Sequence, residues 1–288
     1  MRVCAGIVLF HPNIERIEQN IKAVLPQVDK LIFINNAPEE SEKLREVCLK
    51  LSGDLIWIDN EKNAGIAAAL NQLMKCADEG GFRWILTLDQ DSICGDGLVD
   101  KLLDAGKSYA NAAMISPQII ERGKLWDDYG TMNINADKPG EIDEVLHCIT
   151  SGTLTNVKAV LDNGGFNEWL FIDEVDRDMC IRLRYRGFRL LRVNAARMQH
   201  EFGEKLVRRK ILFKTYEYRN YSPERVYYQI RNRLYMIRKY RADYRSHPIW
   251  QRFRPLFTFT VKFIFEPKRL KRLPAFVRGY FAGLFAKI

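Results

Sequence analysis

Four apolar runs recur through the first ninety residues, and the segments between them carry apolar residues at helical spacing. Val3 to Phe10 is apolar throughout, the pattern of a strand covered on both faces. His11-Pro12-Asn13 breaks it, and Ile14, Ile17, Ile21, Val24 and Leu25 then return every three or four residues. Leu31-Ile32-Phe33-Ile34 is the second run, ending in Asn35-Asn36. A helical segment with Leu44, Val47, Cys48 and Leu51 leads to the third, Leu55-Ile56-Trp57-Ile58. Asn63-Ala64-Gly65 opens an Ala-rich helix, and Phe82-Arg83-Trp84-Ile85-Leu86 follows Gly80-Gly81 as the fourth run. Strands separated by helices of this length need crossover connections, so the expected fold is α/β, with a mostly parallel central sheet flanked by helices.

The fourth run ends in Thr87-Leu88-Asp89-Gln90-Asp91-Ser92. Two carboxylates two residues apart thus sit where a strand enters a loop, the edge at which open α/β sheets bind ligands. Such a pair suits a hard divalent cation, with a diphosphate and water completing the shell. It equally suits a polar loop that caps the next helix.

The alternation weakens after about residue 110. Met114-Ile115-Ser116 reads as a fifth strand, and residues 117 to 150, with Trp126 and Tyr129, as irregular or antiparallel additions. Ser151-Gly152-Thr153 and Asn163-Gly164-Gly165-Phe166 are loop signals. Asp173-Glu174-Val175-Asp176 leads into a helix stopped by Gly187. Phe188 to Val193 reads as a strand, with His200 just beyond it.

Charge is divided unevenly. Residues after His200 carry 22 Lys+Arg against 6 Asp+Glu, and the first 200 carry 23 against 30. Anionic partners are therefore expected at the C-terminal third: membrane lipid, phosphate or nucleic acid. Three apolar stripes run through that third: Val226, Ile230, Leu234 and Ile237; Ile249, Phe253, Leu256, Thr260 and Ile264; and Leu273, Phe276, Tyr280 and Leu284. The first is expected to pack on the main domain. Residues 249 to 288, with Lys268, Arg269, Lys271 and Arg272 clustered, suit a membrane interface, or else pack with their charges in water. Six dispersed cysteines without a C-x-x-C pair point to reduced thiols. No secretory signal and no apolar run near the ~18 residues that span a bilayer is evident.

Seven stretches, in order over residues 1 to 240, carry a resemblance. They are Ile7-Val8-Leu9-Phe10-His11-Pro12, Ile34-Asn35-Asn36, Asn63-x-Gly65-Ile66-Ala67, Leu86 to Ser92, Gly164-Gly165-Phe166-Asn167-Glu168, Leu170-Phe171-Ile172-Asp173-x-Val175-Asp176, and Arg225-x-Tyr227-Tyr228-x-x-Arg231-Asn232. The chain resembles family 2 glycosyltransferases of the GT-A type, Rossmann-like fold, within them the rhamnosyltransferase-like branch that builds bacterial surface polysaccharides. The resemblance implies a nucleotide-sugar-binding catalytic domain over residues 1–220 and a basic amphipathic, membrane-associating helical extension over 221–288. It implies an inverting transfer from dTDP-L-rhamnose to a lipid-linked glycan, by an enzyme peripheral on the cytoplasmic face of the bacterial plasma membrane.

Carried over residue by residue, the resemblance places Leu9, Phe10 and Asn36 at the base and ribose, with Asn36 where the family usually has an acid. Asn63 and Gly65 would approach the nucleotide at a helix N-terminus, whose free N–H groups favour an anion. Asp91 would hold Mg²⁺ or Mn²⁺, Asp89 would serve the ribose or a metal-bound water, and Gln90 lies between them in the donor site. His200 would complete the metal or diphosphate site, and Arg231 and Arg225 would clamp the diphosphate. The general base comes from the acidic cluster: Asp173 first, Glu174 next, with Asp176 capping or orienting its helix. Two other readings stay open. One is the same fold using galactofuranose or glucose, and the other is a non-enzymatic membrane- or nucleic-acid-binding protein. No nucleic-acid motif is visible, so no nucleic-acid partner is expected.

Overall fold

The computed structural model describes residues 2–121, 142–200, 206–211, 214–219, 221–243 and 269–288. The chain forms two compact units, Met1–Phe171 with Val175–Glu201, and Ile172–Glu174 with Phe202–Ile288. The division implied by the resemblance, at 220/221, falls nineteen residues later.

In the first unit, β1 (Val3–Leu9) is buried along its whole length. The side chain of Asn13 accepts the Arg16 N–H and so starts α1 (Ile14–Val24), whose Ile17, Ile21 and Val24 enter the core. Then come β2 (Lys30–Asn35), α2 (Ser41–Ser52), β3 (Leu55–Asp59), α3 (Gly65–Glu79) and β4 (Trp84–Asp89), as the apolar periodicity predicts. β5 (Ile93–Cys94), α4 (Leu98–Ser108), β6 (Ala112–Glu121), β7 (Ile142–Glu144), β8 (Thr153–Asn156), α5 (Val157–Leu161), α6 (Val175–Tyr185) and β9 (Arg189–His200) complete the unit.

The sheet runs β3-β2-β1-β4-β8-β6-β9-β5, with β7 also on β9. Its first four strands are parallel. β8 lies antiparallel between β4 and β6, and β9 returns parallel to β6. The fold is α/β, as expected. From β1 the chain crosses to β2 on one side, and β4 is laid down on the other. At such a reversal the connections leave in opposite directions and open a crevice at the strands' carboxyl ends. Val8 is in register with Asp89, so the ends of β1 and β4 leave the sheet side by side.

Two expectations are corrected here. The fifth strand of the main run is not three residues around Ile115 but ten. The later strand does not stop at Val193: β9 continues to His200, its last residue. The reason is a register break, in which Pro117 of β6 faces Val193 but Gln118 faces Arg197. Proline cannot donate to a ladder and is tolerated at such a bulge. The segment 122–141, with Trp126 and Tyr129, lies outside the described residues, as does the stripe from Ile249 to Ile264 with Lys268.

All six cysteines are free and belong to the first unit. Burial pushes the thiols of Cys4, Cys48 and Cys94 up to about 12.

The second unit contains the hairpin β10 (Leu206–Ile211) and β11 (Lys214–Arg219), then α7 (Pro223–Lys239) and α8 (Arg269–Phe285). Ser222 caps α7, with Pro223 at the first helical position, where no N–H is needed. Leu234 and Ile237 of the expected α7 stripe are buried. Of the third apolar stripe, on α8, Phe276 is buried, Tyr280 and Leu284 are half-buried and Leu273 is exposed; Arg272, Gly279 and Gly283 are buried as well. A Cβ on Gly279 would lie 2.6 Å from the Tyr227 carbonyl oxygen, and one on Gly283 2.6 Å from that of Arg231. The absence of side chains at these two positions lets the α8 backbone lie directly against α7.

Candidate active site

Asp89 ends β4, and three groups from distant parts of the first unit fix it there. The Asn20 amide of α1 donates to the Asp89 carbonyl at 2.8 Å. The Asp89 N–H donates to Ser151 Oγ at 3.0 Å. Ser151 Oγ lies 2.6 Å from Ser92 Oγ, which lies 3.1 Å from His200 Nδ1. Asn20, Ser92, Ser151 and His200 are all buried. His200 is thus brought from β9 to the acidic loop, with Nδ1 3.5 Å from Asp91 Oδ1 and Nε2 3.8 Å from Asp89 Oδ2. The loop 150–152 closes on β4 through Thr87, whose hydroxyl donates to the Thr150 carbonyl and whose carbonyl accepts the Gly152 N–H. Gly152 is required there, since at φ 75° a Cβ would strike Met198 Sδ.

Asp89, Asp91 and His200 each place a ligand atom within 4.8 Å of the others. Asp91 Oδ1 is buried and accepts no hydrogen bond. A buried carboxylate oxygen without a donor is costly unless a cation comes to it. Two carboxylates and an imidazole held by a buried hydroxyl chain fit a divalent ion such as Mg²⁺ or Mn²⁺.

The neighbouring strand ends are tied together. Gln90 bridges the acidic loop to β1, its Oε1 accepting the Phe10 N–H at 2.8 Å and its Nε2 donating to the Phe10 carbonyl at 3.1 Å. Leu9 is buried, and Phe10 is 45 % exposed. Asn36, just after β2, is buried; its Oδ1 accepts from Asn60 at 2.8 Å and from the Ala64 N–H at 3.3 Å. Asn63 Oδ1 accepts the Gly65 N–H. The free N–H groups expected at the start of α3 are not free: those of Ile66 and Ala67 both point at the Phe171 carbonyl. Gly65, at φ 83°, is needed because a Cβ would lie 2.5 Å from the Phe171 ring. Asp59, which the sequence did not single out, ends β3. Burial would raise its carboxyl, but hydrogen bonds from Ser41, Asn35 and Trp57 outweigh it and hold it below its ordinary value.

Within the second unit, Asp173 and Glu174 both have φ 63°, a region non-glycine residues avoid. α7 holds this strained pair. The Asn232 amide donates to the carbonyls of Ile172 and Asp173 at 2.7 and 3.1 Å. Arg225 reaches Asp173 Oδ1 at 3.2 Å and Arg233 reaches Glu174 Oε1 at 3.1 Å. Arg231 turns inward: it is buried, bonds to Asn232 Oδ1 through Nε at 2.8 Å and lies over the Tyr228 ring. Burial lowers its guanidinium from the ordinary range. Asp176, in the first turn of α6 in the first unit, accepts the Arg177 N–H and lies 3.5 Å from His147 Nε2.

Asp89, Asp91 and His200 thus form a candidate divalent-cation site at the carboxyl end of β4, and comparison with known proteins gives the family. The chain belongs to glycosyl transferase family 2, whose sequence model matches residues 7–161, and it is a glycosyltransferase. That match contains Asp89 and Asp91 but ends before Asp173 and His200. The chain is 27 % identical over 257 residues to the dTDP-rhamnosyl transferase RfbF of Shigella flexneri, covering 82 % of this chain and 80 % of that protein. Among solved structures, TarS 1-349 of S. aureus in complex with UDP-GlcNAc aligns with TM-score 0.57 at 14 % identity, over 97 % of this chain and 79 % of that one. GalNAc-T7 with UDP, GalNAc and Mn²⁺ aligns with TM-score 0.56 at 14 % identity, over 70 % of this chain; the chain spans only 44 % of that one. The fold is therefore of the GT-A kind.

Proposed function

We propose that this chain is an inverting glycosyltransferase that moves L-rhamnose from dTDP-L-rhamnose to a lipid-linked or cell-surface polysaccharide acceptor. The observation that carries this reading is the Asp89–Asp91–His200 cluster at the β1–β4 reversal. Its setting in a family 2 chain similar along most of its length to a dTDP-rhamnosyl transferase supports it.

Cleaving a sugar–phosphate bond releases a nucleoside diphosphate on which negative charge gathers. Asp91 and Asp89, with His200 as third donor, would hold Mg²⁺ or Mn²⁺, which when bound neutralises that charge. Asn20, Ser151 and Ser92 keep these groups in place before the donor arrives, so little reorganisation is required. Leu9, Phe10 and Asn36 take the base and ribose, with Gln90 fixing the Phe10 backbone and Asn63 and Gly65 shaping the turn beside Asn36. Arg231 and Arg225 are the cations for the diphosphate, Arg225 being shared with Asp173.

Inversion follows if the acceptor oxygen attacks the anomeric carbon opposite the phosphate. The new carbon–oxygen bond forms as the bond to the diphosphate breaks, and the hydroxyl proton passes to a carboxylate. Asp173 is that base, with Glu174 second and Asp176 orienting α6. The nucleotide-sugar-binding catalytic domain is then residues 1–220, to which the following segment adds Arg225 and Arg231. Residues 221–288 serve as a membrane-associating extension at the cytoplasmic face, with contact through 249–288.

A thermal-shift panel of dTDP-rhamnose, UDP-galactofuranose and UDP-glucose, with and without MnCl₂, tests the reading. A donor at a hundred times its Kd should raise Tm by about 5 °C. That shift should need the metal and vanish in D91A. A larger shift from another nucleotide sugar would reassign the donor, and none from any would overturn the proposal.

A further inference from the structure

The exposed face of α8 is unusual in composition. Leu270, Val277, Phe281 and Phe285 recur at seven- and four-residue steps, which places them on one side of the helix. They are 73, 42, 54 and 78 % exposed. The Phe281 and Phe285 rings stack at 6.4 Å, extending the apolar ridge past the last turn.

The rotation of α8 that presents this ridge is fixed from the other side. Gly279 and Gly283 sit against the α7 backbone at Tyr227 and Arg231, where no Cβ fits. Arg238 of α7 donates to the carbonyls of Gly283 and Ala286 at 3.0 and 2.8 Å, closing the helix end. The glycine face is therefore used up in packing, and the large apolar residues have no route inward. A contiguous apolar ridge of this size marks a binding surface rather than ordinary exposure.

Charge indicates what covers it. Residues 269–288 contain five Lys and Arg and no Asp or Glu. Lys271, Arg278 and Lys287 are exposed. A ridge of Leu, Val and Phe on a helix whose only charges are cations matches an interface of acyl chains beneath anionic headgroups. No helix among the described residues is long and apolar enough to cross a membrane, so the contact is one of surface insertion.

We infer that the Leu270–Phe285 face of α8 is the element by which this chain docks on an anionic bilayer, lying in the interface plane with its glycine face on α7. This deepens the membrane contact proposed above, yet its test is separable from donor binding. Full-length protein is sedimented with vesicles of 30 % phosphatidylglycerol in phosphatidylcholine, and with phosphatidylcholine alone. Wild type should bind the first at least tenfold more tightly than the second. V277D/F281D should lose at least tenfold of that binding while keeping its circular dichroism and its stabilisation by nucleotide sugar. K271E/R278E, which spares the ridge, should lose the preference for anionic vesicles. Vesicle binding by V277D/F281D equal to wild type overturns the inference. So does wild type that ignores the vesicles but forms a dimer in sedimentation velocity that F281D dissociates, since the ridge would then be an interface between copies of this chain.

Discussion

Asp89 and Asp91 leave the end of a buried strand with ordinary backbone angles, whereas Asp173 and Glu174 both sit at φ 63°. The first pair is held by groups from four separate parts of its own unit, Asn20 of α1, Ser92 and Ser151 of loops and His200 of β9. The second is held from one helix, by Arg225, Asn232 and Arg233 of α7. A cation site gains from stiffness, because its donors must stay within a few tenths of an ångström. A strained loop costs roughly 1–2 kcal/mol per left-handed residue and persists only where other contacts over-determine it. The two acidic groups are therefore expected to respond differently when their supports are removed.

The largest effect is expected at the proposed base. D173N keeps shape and loses proton affinity, so sugar transfer should fall roughly 10²–10⁴-fold. Protection from melting by nucleotide sugar plus Mn²⁺ should survive in the same variant. Full transfer by D173N would hand the role to Glu174, which E174Q then tests. D91A should fall by on the order of 10²–10³-fold in transfer, and here the metal-dependent protection should go too. Finding both variants alike in the melting assay would erase the distinction between a binding acid and a proton-taking one.

Removing supports separates the regions further. S151A leaves Asp89, Asp91 and His200 in the chain but cuts the hydroxyl path that links Asp89 to His200. Outer-shell losses of this sort cost about 10–100-fold in metal affinity, so Mn²⁺ titration of S151A should show that drop with little change in Tm. N232A removes two hydrogen bonds to strained carbonyls, and stability rather than metal affinity should respond, by about 1–2 kcal/mol. A metal-affinity loss in N232A as large as in S151A would contradict this division.

Much of the first region could be read from the chain, because its signals are local. Apolar runs bounded by Gly80-Gly81 or Pro12 locate strands, and the acidic motif sits at the end of the fourth. The supports could not be read. Ser151 and Ser92 are 59 residues apart and His200 another 49 on, and neither serine type announces a partner. The strand carrying His200 was cut short because Asn194 and Arg197 interrupt its apolar pattern at the register break. The second region hid more. Nothing in Asp173-Glu174 signals left-handed backbone, which glycine usually marks. On α8, the apolar stripe gives no sign that Gly279 and Gly283, by lacking side chains, let the helix lie against the α7 backbone.

Alkaline pH offers the mildest test of the same contrast, because every cysteine belongs to the first unit. Cys94 lies on β5, opposite Met198 of β9 and two residues from His200's position in that strand. Its folded thiol is pushed from 9.0 up to about 12 by burial. A folded pKa above the unfolded one means stability is fully present below about pH 9. It is lost as pH rises from there towards 12, where unfolded chains ionise and folded ones do not. Between pH 8.5 and 10 this one thiol should remove about 1 kcal/mol. C94A lacks the term, so whatever its packing deficit at pH 8.5, the gap to wild type in urea unfolding should narrow by that amount at pH 10. Cys4 and Cys48 should behave alike, and unfolding of the second unit, where a local probe on α7 can follow it, should show no thiol contribution. A gap that stays constant with pH would mean that β5 already opens to solvent in the native state, and the stiffness ascribed to the Asp89–His200 frame would then have to come from β4 and β9 alone.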